Sequence, residues 1–162
     1  MEGTIDRGIR AAWRNGLEKA GILEDEMTID EVGARNDFIL TQYDHLHSFA
    51  DAIAEGKKGQ GRLDEFLSRS DLWIRAFDSA VTQAFAMAAG NKKLRWTLGE
   101  AEHCRSCLKL DGKIKRANYW TERGILPRVQ GAGYLECHGY RCQCDLIETE
   151  EPLSKGPLPG LP

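Results

Sequence analysis

The first hundred residues of this chain contain no cysteine; all five lie between Cys104 and Cys144. Such a cluster in a chain of cytosolic character points to metal binding before it points to disulfides. Long apolar runs are missing as well. None approaches the ~20 residues needed to cross a bilayer. The opening MEGTIDRGIRAAW carries early charges and no apolar leader core, so neither a membrane span nor a secretory leader is expected. Enzyme signatures are also lacking: there is no Gly-rich phosphate loop, no Gly-x-Ser-x-Gly and no His-Glu-x-x-His.

What is there suits a folded chain. Of 162 residues, 41% are hydrophobic and 29% charged, which fits one domain or a domain with a small module. The net charge of −3 is unevenly spread. Residues 91–145 hold eleven Lys/Arg against six Asp/Glu, a balance of +5, which leaves −8 for the remainder. This asymmetry suits either a polyanion or acidic partner, including DNA, or an ordinary solvated surface.

The first ninety residues read as helices. Ile5, Ile9, Trp13 and Leu17 form one stripe in a helix over 4–20, with Gly8 and Gly16 as weak points and Gly21 as the stop. Thr28 and Glu31 form a capping box that opens a second helix running to about Glu55. EGKKGQGR (55–62) reads as a loop. A third helix, from Leu63 or Ser70 to Ala89, sets Trp73, Phe77, Val81 and Phe85 beside the small row Ala76, Ala80, Ala84 and Ala88. Adjacent large and small rows allow a second helix to approach closely. Three amphipathic helices carry more large apolar groups than so small a bundle buries easily, which marks 1–90 as a docking segment through Trp13, Trp73 or Phe77.

After Gly90 the pattern changes. Leu94–Leu98 alternates like a strand, and Leu108–Lys115 reads as a β-hairpin turned at Asp111-Gly112. Ala117–Arg123 suits a short helix and Arg141–Ile147 a last strand. The tail from Pro152 reads as disordered or extended. The expected architecture is α+β and mainly helical. It has a helical arm or bundle (1–90), a small β-hairpin zinc module (91–150) and a Pro/Gly-rich tail (151–162).

The cysteines are spaced Cys104-x2-Cys107, then Cys137-x4-Cys142-x-Cys144. A tetrahedral zinc ion takes its ligands as two pairs from two segments, and a Cys-x2-Cys turn aims two thiolates at one point. The expected ligands of one structural zinc site are Cys104, Cys107, Cys137 and Cys142, with Cys144 as the alternative fourth. On a strand, 142 and 144 share a face; Cys142 closes the tighter loop. His103 and His138 are further substitutes beside competing cysteines. Catalytic zinc would need an open position and a base such as Glu100, Glu102 or Glu136. The abundance of thiols closes the shell, so no enzyme is expected.

These residues resemble the C-terminal region of tailed-phage minor head proteins, the Mu-F-like head morphogenesis family. The resemblance rests on the helix 70–89, Asn91-Lys92-Lys93-Leu94, Trp96, Glu102-His103-Cys104-Arg105-Ser106-Cys107, Leu110-Asp111-Gly112 and Cys142-Gln143-Cys144. It covers about half the chain. The family's Pro-x-His before Cys-x-Cys is replaced here by Cys137 with a longer gap. The resemblance implies a virion or procapsid component in the host cytoplasm, associated with portal protein, other head proteins or DNA, and without catalysis. Two other readings compete. One is a zinc-ribbon nucleic-acid-binding regulator that stacks bases on Trp96, Tyr119, Trp120, Tyr134 or Tyr140. The other is a zinc-dependent hydrolase. Self-association through the helices is a further expectation.

Overall fold

The computed structural model describes residues 2–55, 63–100, 102–140 and 142–161, and between 63 and 71 the backbone alone. Its elements are α1 (Glu2–Ala20), α2 (Ile29–Ala54), α3 (Leu63–Ala88), β1 (Lys93–Thr97), α4 (Arg105–Leu110), β2 (Ile114–Arg116), α5 (Ala117–Glu122) and β3 (Asp145–Glu148). The fold is α+β and mainly helical, with a three-stranded antiparallel sheet in the order β2-β1-β3. Among the described residues no helix is long and apolar enough to cross a membrane. The predicted loop falls almost wholly at 56–62, outside the described residues.

α1 and α3 make the main helix contact. Ile5, Ile9, Trp13 and Leu17 of α1 are buried against Ala80 and Ala84 of α3. Gly8 and Gly16 of α1 are points of close approach rather than weak points. A Cβ on Gly16 would stand 2.6 Å from the Ala84 Cβ and closer still to the Val81 carbonyl. One on Gly8 would meet the Phe77 ring at 2.6 Å. Small residues on both helices thus let the backbones touch, and Phe77 fills the space over Gly8.

α2 begins as its capping box dictates. The Thr28 hydroxyl accepts from the Glu31 amide at 3.3 Å, and Glu31 accepts from the Thr28 amide at 2.7 Å. Glu24, in the preceding turn, pairs with Arg14 of α1 at 2.9 Å and Arg35 of α2 at 3.0 Å. Trp13 is a core residue, edge-on to Phe38 at 6.4 Å, and Trp73 lies edge-on to Phe49 at 6.3 Å. Trp13 therefore offers no docking surface, contrary to expectation, because the α1–α2 crossing covers it. Among the described residues, the large exposed apolar side chains of the helical segment are instead Leu23, Ile29, Leu40, Ile53 and Ile74.

A second core joins α3 to the C-terminal part. Phe85 and Ala86 of α3 and Ala89 just past its end pack with Leu94, Trp96, Leu110, Trp120, Leu135 and Leu146, and Ala20 of α1 belongs to the same cluster. Trp96 and Trp120 sit 5.7 Å apart at its centre, and the Trp120 indole donates to the Leu94 carbonyl. These two rings are fully buried and cannot stack on bases.

The predicted β-hairpin over 108–115 does not form. Leu108–Leu110 is the last turn of α4, and burial falls on Ser106, Cys107 and Leu110 at helical spacing, with Leu108 exposed. The Cys104 sulfur, accepting from the Cys107 amide, winds the chain into a helix before any strand can begin. Gly112, at φ +70, still makes the turn, but it leads from α4 into β2, which pairs with β1. β3 begins only at Asp145, so Cys142 and Cys144 precede it rather than lying on it.

The tail takes the extended course of the two expected. It runs beside β2, where Ser154 exchanges hydrogen bonds with the backbone of Ile114: its amide donates to the carbonyl and its hydroxyl accepts from the amide. Leu158 and Leu161 pack against the second core.

Gly16→Val is expected to destabilise the protein by about 2 kcal/mol, since overpacking a tight contact costs roughly 1–3 kcal/mol. A lower midpoint of urea unfolding checks this; an unchanged midpoint would show that the α1–α3 approach is not close.

Candidate metal centre

Three chain segments bring the cysteines together. The first is the turn opening α4, with Cys104 at its cap position and Cys107 one turn on. The second is the loop 131–140, which delivers Cys137. The third is the extended stretch before β3, which carries Cys142 and Cys144.

Hydrogen bonds tie these segments in pairs. The buried Ser106 hydroxyl accepts from the Glu136 amide at 3.0 Å, and the Glu136 carboxylate accepts from the Arg105 amide at 2.9 Å. The neighbours of Cys104 and Cys107 are thus locked to the neighbour of Cys137. Arg128 donates to the carbonyls of Cys144 at 3.0 Å and Gln143 at 3.2 Å, and lies 3.5 Å from the Asp145 carboxylate. Gly139, at φ +75, lies so close to the Val129 carbonyl that no Cβ would fit. Gly99 packs on the backbone of Gln143 in the same way. Each glycine marks a place where two backbones touch to close the site.

The sulfurs of Cys104, Cys107 and Cys137 lie within 4.8 Å of one another, and so do those of Cys107, Cys142 and Cys144. Cys107 belongs to both triads. All five expected thiols therefore meet in one place, with Cys107 and Cys144 buried and the other three half-buried. Two lines of the sequence reading are refined. Cys142 and Cys144 both reach Cys107 without sharing a strand. His138 is exposed and, at φ 48, turns the chain between Cys137 and Gly139.

The electrostatics are those of thiols crowded together. Hydrogen bonds to Cys142 and Cys144, with burial, push the Cys107 thiol far up. Cys142 is driven down to about 2, first by hydrogen bonding with Cys107 and Cys144 and further by the Arg128 and Cys144 amides. Burial raises Cys137 to about 11. Contact with Cys107 pulls Cys144 down, but Cys142 and burial outweigh it and hold Cys144 at about 11. Burial opposes ionisation of Cys104, but bonds from the Cys107 and Cys137 amides and thiols lower it overall. Sulfurs this close cannot all be thiolates unless a cation shares their space. The Cys107 amide donates to the Cys104 sulfur at 3.5 Å, which suits a sulfur that carries negative charge. The five cysteines can hold a metal ion, and an all-sulfur donor set suits a soft or borderline one.

The groups considered as bases are placed otherwise. Glu136 caps α4, while Glu100 and Glu102 are exposed. His47 bonds Glu2 at 2.6 Å, far along the chain from the cysteines. His103, set aside beside Cys104, lies with Nδ1 3.6 Å from the Cys144 sulfur.

Comparison with protein-family models, curated proteins and solved structures found no match for the chain.

Ser106→Ala removes the acceptor of a buried amide and is expected to destabilise the protein by about 1–3 kcal/mol. The same change should speed metal loss to a chelator, because Cys137 is then free to drift from Cys104 and Cys107. Denaturant melts and chelator kinetics measure the two effects; a wild-type rate of metal loss would show that the Ser106–Glu136 bond does not hold the site.

Proposed function

We propose that this is a non-catalytic assembly protein whose C-terminal part is held together by structural zinc, and that it acts as a tailed-phage minor head protein. The observation that carries the zinc reading is the meeting of five thiols from three segments. A module with three short strands and two six-residue helices gains from such a cross-link. Structural zinc contributes on the order of 10 kcal/mol to the folding of small modules.

The head-protein reading rests on the resemblance in sequence, with portal or other head proteins as partners and the procapsid or virion as location. The folded chain favours it over a nucleic-acid regulator. The basic side chains of 91–145 are largely engaged within the molecule. Lys93 donates to the Glu150 and Glu151 carbonyls, Arg95 pairs with Glu151, and Lys109 and Lys115 donate to carbonyls between Ser154 and Gly160. Lys92 pairs with Glu148, and Arg123 lies 3.7 Å over the Tyr119 ring. Glu148, Glu150 and Glu151 thus meet three charges of the +5 balance, which leaves less to follow a phosphate backbone.

Protein purified under reducing conditions should contain zinc and lose it as the pH falls, since protons compete for the thiolates. Chelation should abolish the near-ultraviolet circular dichroism of Trp96 and Trp120 while much of the helical signal persists, because the α1–α3 contact holds no cysteine. A metal-free protein with unchanged spectra would sink the zinc reading. For the head-protein reading, co-expression with the portal protein encoded in the same genome should give a complex stable to gel filtration. Sequence-specific DNA binding with a steep salt dependence, and no such complex, would favour the regulator.

A further inference from the structure

The two triads do not merge into one set of four, and this bears on how many ions the site takes. Four donors on one tetrahedral ion are all mutual neighbours. Here the mutual neighbours are Cys104, Cys107 and Cys137 on one side and Cys107, Cys142 and Cys144 on the other. Cys107 alone stands within 4.8 Å of all the rest. That is the placement of a bridging thiolate, which binds two metals through separate lone pairs.

His103 stands beside the second triad without joining it. Its Nε2 lies 3.0 Å from the Gly99 carbonyl, which can only accept, so the ring proton of the neutral imidazole sits on Nε2. Nδ1 then faces the Cys144 sulfur alone, at 3.6 Å.

We propose that the cluster binds two divalent, thiophilic ions of the zinc type that share Cys107. Cys104, Cys137 and Cys107 hold the first. Cys142, Cys144 and Cys107 hold the second. Cys104 and Cys137 are half-buried, so the fourth position of the first ion opens to water. Charge favours the pair: five thiolates around one divalent ion leave three negative charges uncompensated, and around two ions only one. This inference rests on the zinc reading above and sharpens its stoichiometry.

The test uses the full chain, reduced, loaded with zinc and desalted. Elemental analysis and native mass spectrometry should find two zinc ions per chain. Substitution with 113Cd should give two resonances split by coupling through the Cys107 sulfur. Cys137→Ser should retain one ion and Cys144→Ser one ion, whereas Cys107→Ser should lose the coupling. One zinc per chain, or two cadmium resonances without coupling, would overturn the shared-thiolate proposal and leave the zinc reading intact. No bound metal in the wild type would overturn both. The count and the coupling are read on the wild type, so a variant that misfolds does not decide the outcome.

Discussion

Everything C-terminal to α3 is organised around the crowding of thiols at Cys107. Sulfurs from three segments cannot stay within 4.8 Å of one another as charged groups unless a cation lies among them. As neutral thiols they would fill the space but bind it weakly. The backbone accommodates charge at Cys104, where the Cys107 amide donates to the sulfur. The Ser106–Glu136 and Arg128–Cys144 bonds hold the three segments in register before any ion is considered. The metal-binding geometry is thus supported by ordinary hydrogen bonding one residue away from the ligands.

The helical part and the cysteine-bearing part are not packed as strangers. Phe85, Ala86 and Ala89 belong to the second core, while Ala80 and Ala84, just ahead of them in the chain, belong to the first. Ile22 and Ala88 touch both. The Ser79 hydroxyl donates to the Arg128 carbonyl at 2.7 Å, and the Gln130 side chain donates to the Leu72 carbonyl at 3.0 Å. α3 therefore acts as a common wall.

Much of this was legible in the chain. α1 follows its Ile5–Ile9–Trp13–Leu17 stripe and α2 its Thr28–Glu31 box, because both signals are local. The five cysteines could be named as a cluster from spacing alone. Other features depend on partners far along the chain. Gly8 and Gly16 looked like defects until α3 was laid against them. The alternation in Leu108–Lys115 suited a hairpin, yet Cys104 caps a helix there and Leu110 is needed in the core. The double membership of Cys107 and the approach of His103 to Cys144 arise from contacts across thirty or more residues, for which spacing offers no signal. Zinc itself, and any role in a phage head, stand on chemistry and resemblance rather than on the fold.

The path of the last dozen residues has a consequence for solubility. A three-stranded sheet has two open flanks, and the outer strand β2 would present the amide and carbonyl of Ile114 as a template for a strand from another molecule. Ser154 occupies both groups, and Lys115 fastens the chain on either side of it by reaching the Ser154 and Gly156 carbonyls. Pro152, Pro157 and Pro159 have no amide to offer outward. The segment thus acts as a selvedge: it finishes the cloth of the sheet with a border that cannot itself be sewn to a neighbour.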